Sequence, residues 1–127
     1  MKTAVAEAQA TLPAYWAAIE EKNPAYSAFA LNVITSSERY TEEHIWLVDI
    51  RRTDDGNFVG TIPAAHEIDD GFTPGYMVAF QASHIADWRF EYDGKTYGAY
   101  TTRAMLNLAP DAEIDNIRAR FHESPVP

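Results

Sequence analysis

Apolar residues recur at three- and four-residue steps through the first twenty positions. Val5, Ala8, Leu12, Tyr15, Trp16 and Ile19 form one stripe, with Glu7, Gln9, Glu20 and Glu21 off it, the pattern of an amphipathic helix. Pro13 lacks the amide proton that a helix interior uses, so a kink or restart is predicted there, with Thr11 capping the second piece. Asn23-Pro24 stops the helix because the residue before a proline is pushed out of the helical region.

From Ala28 the period becomes two. Phe29, Leu31 and Val33 alternate with Ala30, Asn32 and Ile34 as a first strand, and Ile45 to Arg52 is a second, rich in β-branched and aromatic residues. Asp54-Asp55-Gly56 is a turn into a third strand, Phe58 to Ile62, since glycine takes positive φ without steric cost. Pro63 to Gly75, with Glu67, Asp69 and Asp70, is expected to be a surface loop. Tyr76, Val78 and Phe80 mark a fourth strand, and Trp88, Phe90 and Tyr92 alternate with Asp87, Arg89 and Glu91 in a fifth. Asp93-Gly94 suits a tight hairpin turn into Lys95 to Tyr100. Arg103 to Leu108 reads as a short helix, and Asp111 as the cap of a last one burying Ile114, Ile117 and Phe121. Ser124 to Pro127 is expected to fray. The fold class is α+β: an N-terminal helix kinked near Pro13, an antiparallel sheet of five or six strands and C-terminal helices, in a single domain over residues 1–127.

Composition narrows the function. The chain of 127 residues has no cysteine, which excludes disulfides, thiolate metal sites and cysteine nucleophiles. Its 10 Lys and Arg face 19 Asp and Glu, a net charge of −9. That balance argues against nucleic acid or an anionic membrane as partner, because both require clustered cations. No apolar run approaches the ~20 residues that span a bilayer. Glu7 and Gln9 interrupt any signal-peptide core, so a cytoplasmic protein is expected.

Four motifs in order carry a resemblance. Glu43-His44-Ile45-Trp46, Gly60-Thr61-Ile62-Pro63, Ile85-Ala86-Asp87-Trp88, and the run Asp93-Gly94-Lys95-Thr96-Tyr97-Gly98-Ala99-Tyr100-Thr101-Thr102-Arg103 resemble the YegJ-like family of uncharacterised bacterial domains, from about the first helix to Arg103. The resemblance implies a helix followed by a sheet bearing these signatures, and brings no biochemical role with it. The chain departs from the family pattern at Asn32, where a lysine is expected.

The candidate chemistry is sparse. A carboxylate beside a histidine can raise its pKa and orient the ring, which singles out Glu43 and His44. Neighbours on a strand point to opposite faces, however, so the structural alternative is Trp46 in the core and His44 bonded nearby. If Trp88, Phe90 and Tyr92 face the core, Asp87, Arg89 and Glu91 form a polar face, either a ligand platform or simply solvated. Asp87 has a third option, holding free backbone amides. Arg103, at a strand-to-helix junction, could grip a ligand carboxylate or phosphate, or pair internally with Asp87 or Glu43. His44, His66, His84 and His122 show no metal-ligand spacing, and no serine lies in a nucleophile elbow, so neither metal, cofactor nor catalytic residue is assigned.

The leading expectation is a non-catalytic module binding a protein or small ligand, with Trp46, Trp88, Arg89 and Tyr76 as binding residues. Tyr40 and Phe72 are further surface anchors. Acidic segments at Glu38 to Glu43 and Glu67 to Asp70 would favour a basic partner, as in an immunity-type protein. The alternative is a small enzyme or small-molecule binder with Glu43, His44, Asp87 and Arg103 converging at one end of the sheet. A homodimer through an exposed sheet edge is the third option.

Overall fold

A computed structural model describes residues 2–35, 43–64, 73–107 and 117–127. Helix α1 (Lys2–Glu21) is followed by strands β1 (Tyr26–Thr35), β2 (Glu43–Arg52), β3 (Phe58–Thr61), β4 (Met77–Phe80), β5 (Ile85–Tyr92) and β6 (Lys95–Gly98), and then helix α2 (Tyr100–Asn107). The strands form one six-stranded antiparallel sheet in the order β4-β3-β2-β1-β5-β6. The expected α+β class holds. Contacts divide the chain into two compact units, residues 1–29 with 87–127, and residues 30–86.

In the first unit, α1 runs unbroken as one helix with Pro13 inside it. Thr11 is not a cap: its hydroxyl donates back to the carbonyl of Glu7 at 2.9 Å, as threonine does within a helix. The buried stripe is Ala4, Ala8, Tyr15 and Ala18, while Ile19 is exposed. The face is therefore rotated from the one that the large apolar residues predict. The reason is steric: small residues let the helix approach Trp88, which is fully buried and whose indole N–H donates to the Ala8 carbonyl at 3.2 Å and to the Thr11 hydroxyl at 3.1 Å. The bulk comes from the strand at this point, so the helix supplies Ala8 there and packs Tyr15 beside the Trp88 ring, 6.2 Å between centroids. Lys22, at φ 54°, and the Asn23 side chain, which accepts from the Ala25 amide, end the helix where Asn23-Pro24 predicts.

Tyr15 packs edge-on against Trp16 and Phe29, at ring-centroid distances of 5.1 and 5.7 Å. Among the described residues its hydroxyl is buried without a hydrogen-bond partner, and burial raises its pKa. Phe90 completes this core, stacked on Phe29 at 5.1 Å and on Trp88 at 5.8 Å.

The β5–β6 hairpin turns through Asp93 and Gly94, both at positive φ (55° and 74°), the backbone that matches strand twist in a two-residue hairpin. Strand β6 stops at Gly98, two residues before the predicted end, because the chain there passes through two left-handed residues, Gly98 (φ 75°) and Ala99 (φ 54°). Helix α2 thus begins at Tyr100 rather than Arg103. The C-terminal segment is bonded to β6, through Pro125 within the stretch expected to fray. The Thr96 amide donates to the Arg120 carbonyl at 2.8 Å, the His122 amide returns to Thr96 at 3.0 Å, and the Gly98 amide reaches Pro125 at 2.7 Å. Docking satisfies backbone groups that the outer side of β6 would otherwise expose. The expected cap Asp111 and the core residue Ile114 lie outside the described residues, and Phe121 is half-buried.

The second unit is a meander. Strand β1 pairs with β2 in the register Leu31↔Leu47 and Val33↔Ile45, four residues that are fully buried. Strand β3 pairs with β4 as Phe58↔Phe80, whose rings stack at 5.6 Å. A register shift between Val48 and Arg51, with Asp49 at φ 50°, marks a bulge in β2. The predicted turn forms at Asp54-Asp55-Gly56, where Thr53 and Asn57 donate to Asp55 and lower its pKa.

Two stability outcomes are expected. Tyr15→Phe removes an unpaired buried hydroxyl and should stabilise the protein by about 1 kcal/mol, read as a rise in the denaturant midpoint. Gly98→Ala should cost about 3 kcal/mol: its Cβ would stand 2.3 Å from the Trp88 carbonyl oxygen and 2.6 Å from the Trp88 ring at a positive φ. A Tyr15→Phe variant that unfolds more easily, or a Gly98→Ala variant that matches the parent, would contradict this packing.

Candidate functional site

Helix α2 needs a cap that its own sequence does not provide. Ala99, just before it, has no side-chain acceptor, and the first amides of a helix have no partner within it. The acceptor is Asp87, from β5. Its Oδ1 accepts from the amides of Trp88 at 2.8 Å and Tyr100 at 3.1 Å. Its Oδ2 accepts from the Thr101 amide at 2.9 Å and the Thr101 hydroxyl at 2.6 Å. The side chain is fully buried. Burial pushes its carboxyl pKa up, and these donors pull against that shift. Of the roles open to Asp87 in the sequence, holding backbone amides is the one this geometry displays. The amides are those of α2 as well as of β5 itself.

Arg103 sits one turn into α2. Its Nε donates to the Gly98 carbonyl at 2.7 Å, one terminal nitrogen to His122 at 2.8 Å and the other to Thr96 at 3.0 Å. The guanidinium also lies over the Phe121 ring, 5.1 Å from its centroid. The sequence offered Asp87 or Glu43 as the internal partner. Asp87 acts on Arg103 only through its field, because its oxygens are taken by the α2 amides. The planar fork instead ties α2 to β6 and to the C-terminal segment. His122 secures that segment further: its Nε2 donates to the Tyr92 carbonyl at 2.9 Å, and its ring stacks on Tyr97 at 3.8 Å. A carbonyl only accepts, so the Nε2 of His122 carries a proton.

Other sequence-selected residues lie in one unit or the other. His44 is exposed on β2, with Nδ1 3.2 Å from the Oδ1 of Asn32, a buried residue on β1. Glu43 begins β2, and its side chain is outside the described residues. Both belong to the unit of residues 30–86, while Asp87 and Arg103 belong to the other. Trp88 is fully buried inside the first unit, where it anchors α1; a bulky apolar ring facing a helix is better used there than at a surface. Trp46 is half-buried, Tyr76 is 68% exposed, and Arg89 is half-buried in the lining of a small cavity of about 210 Å³ with Glu91 and Thr102. The acidic stretches 38–42 and 67–70, with Tyr40, His66 and Phe72, fall outside the described residues. Among the described residues no group of three or more histidines and carboxylates could hold a metal ion.

One sizeable cavity among the described residues is not signalled by any motif. It is a groove of about 530 Å³ within the first unit, between the start of α1, α2 and the C-terminal segment. Ala4, Ala104, Leu106, Phe121 and Pro125 give it an apolar lining, and Arg103 enters it from α2. Glu7, Arg118 and Glu123 stand exposed around it. Ala4 and Ala104 are small, and a groove between helices is made by what such side chains leave unfilled. Sequence spacing marks filled stripes, so this volume had no sequence signature.

Asp87→Asn keeps the shape of the cap but turns an amide donor toward the donors of Thr101 or Tyr100. It should cost about 2 kcal/mol or more, and Thr101→Val about 1 kcal/mol. Both appear as lowered thermal midpoints, and an Asp87→Asn variant as stable as the parent would remove the cap from this account.

The family of proteins described as "Uncharacterized protein conserved in bacteria (DUF2314)" matches residues 1–120. The chain is 32% identical over 79 residues to the "Uncharacterized protein YegJ" of Escherichia coli (strain K12). That match covers 62% of this chain and 51%, about half, of the relative. No solved structure matches. With the family pattern running from α1 through the Asp87 cap and the Arg103 clamp, the chain belongs to the DUF2314 family of uncharacterised bacterial proteins.

Proposed function

We propose that this domain is a non-catalytic binding module whose ligand seats in the groove between α1, α2 and the C-terminal segment. The observation that carries this reading is the groove itself. Its volume, about 530 Å³, falls among clefts that hold small ligands, about 300–1,000 Å³. Its lining has the matching make-up, apolar over most of its area with a few polar groups near Arg103. The groups that acid–base chemistry would draw on are otherwise engaged: Asp87 accepts four hydrogen bonds in a buried setting, and Arg103 holds three carbonyls. A general base must reach its substrate's proton, and Asp87 faces the α2 amides.

A fragment screen followed by amide chemical shifts tests this. Fragments that bind should move the amides of Ala4, Ala104 and Phe121 together. Hits gathered on His44 and Asn32 instead would transfer the site to the other unit. A screen silent at the groove, with a basic protein captured from bacterial lysate and released by salt, would replace the groove with the immunity-type reading.

A further inference from the structure

Arg103 does more than close the fold, and what it leaves unused defines the ligand. A guanidinium has five N–H groups, and three of those of Arg103 are given to carbonyls. The other two have no acceptor among the described residues. The carbonyls satisfy hydrogen bonds but carry no formal charge, and among the described residues no carboxylate lies within ion-pair distance of this cation. The side chain is half-buried, with Phe121 beneath it. Glu7 and Glu123 are exposed, so water screens them from the interior of the groove. Among the described residues the groove therefore presents a half-buried cation with two spare donors at the end of an apolar floor, with no carboxylate bonded to it and Asp87 acting on it through its field alone.

We propose that the groove binds a small amphipathic carboxylate, its anionic head on the free N–H groups of Arg103 and its apolar body on Ala4, Ala104, Leu106 and Phe121. This rests on the groove being the binding site. A carboxylate on a guanidinium forms charge-assisted hydrogen bonds, about twice as strong as neutral ones. A half-buried cation gains most from such a partner, because less water competes for it.

Three soluble probes with one apolar body separate the contributions: 4-phenylbutyrate, 4-phenylbutanol and 4-phenylbutylammonium, each titrated into the full chain with amide and Arg103 Nε–H shifts recorded. The carboxylate should bind with a dissociation constant on the order of 1 mM and move the Arg103 Nε–H signal. The alcohol should bind about tenfold more weakly, and the ammonium should leave the groove signals unmoved. Phenyl phosphate, as a fourth probe, distinguishes a phosphate site if it binds more tightly than the carboxylate, which would overturn the ligand class. Equal binding of acid, alcohol and ammonium in the groove would overturn the anion and leave the binding module standing. No movement of groove signals with any probe would overturn both. Filling the groove with Ala104→Trp should abolish carboxylate binding with the fold intact by far-UV circular dichroism. Thr3→Trp, at an exposed position in the first turn of α1, places the same bulk at the groove without altering α2. Unchanged binding in a folded filling variant would place the carboxylate elsewhere.

Discussion

The structure of the first unit depends on one requirement: a helix that starts without a cap of its own must be given one. Ala99 can accept nothing through its side chain, and the chain enters α2 from two left-handed residues. The carboxylate of Asp87 meets the need from another element, taking the amides of Tyr100 and Thr101. Much else follows. To bring β5 and the start of α2 this close, Gly98 must lie against the Trp88 backbone with no room for a Cβ. With α2 so placed, Arg103 comes within reach of Thr96, Gly98 and His122. The long motif that begins at Asp93 and ends at Arg103 is, in physical terms, one joint.

The sequence made the strands legible because their signal is local. Alternation fixes β2, β3 and β5, and Asp93-Gly94 fixes the hairpin between β5 and β6. Helix α2 starts three residues before the expected Arg103 because its cap is contributed by a residue twelve positions before Ala99 in the chain, whereas a helix-start signal ordinarily lies next to the helix. The buried face of α1 differs in part from the expected one for a related reason. Ala8 and Tyr15 of the expected stripe are buried, but Ile19 is exposed, and the small Ala4 and Ala18 take the other buried positions. Each miss is a long-range requirement overriding a local preference.

The candidate site divides the same way. Asp87 and Arg103, singled out by motif, are a buried carboxylate and a half-buried guanidinium, and both need a reason to be there. What the chain could not reveal was whether that reason was chemistry or architecture. Asp87 accepts four bonds from its own chain, which leaves little of it to offer a substrate. Glu43 and His44 share a unit with Asn32 and not with Asp87, so the four residues grouped by motif have no common setting within either unit.

Architecture and ligand chemistry then meet in Arg103. Had a carboxylate closed this joint, the cation would be neutralised where it stands and the groove would be a plain apolar cleft. Carbonyls close it instead, and they satisfy geometry without cancelling charge. The choice is a consequence of Asp87: the nearest buried carboxylate is committed to α2 and exerts only a Coulombic pull on Arg103. A positive charge is thereby retained at the groove of a chain whose net charge is −9. In so acidic a protein the overall field repels anions. An anion bound here must therefore gain its affinity from close contacts, the N–H groups and the apolar floor, and its binding should strengthen as salt screens the distant carboxylates while the short hydrogen bonds persist.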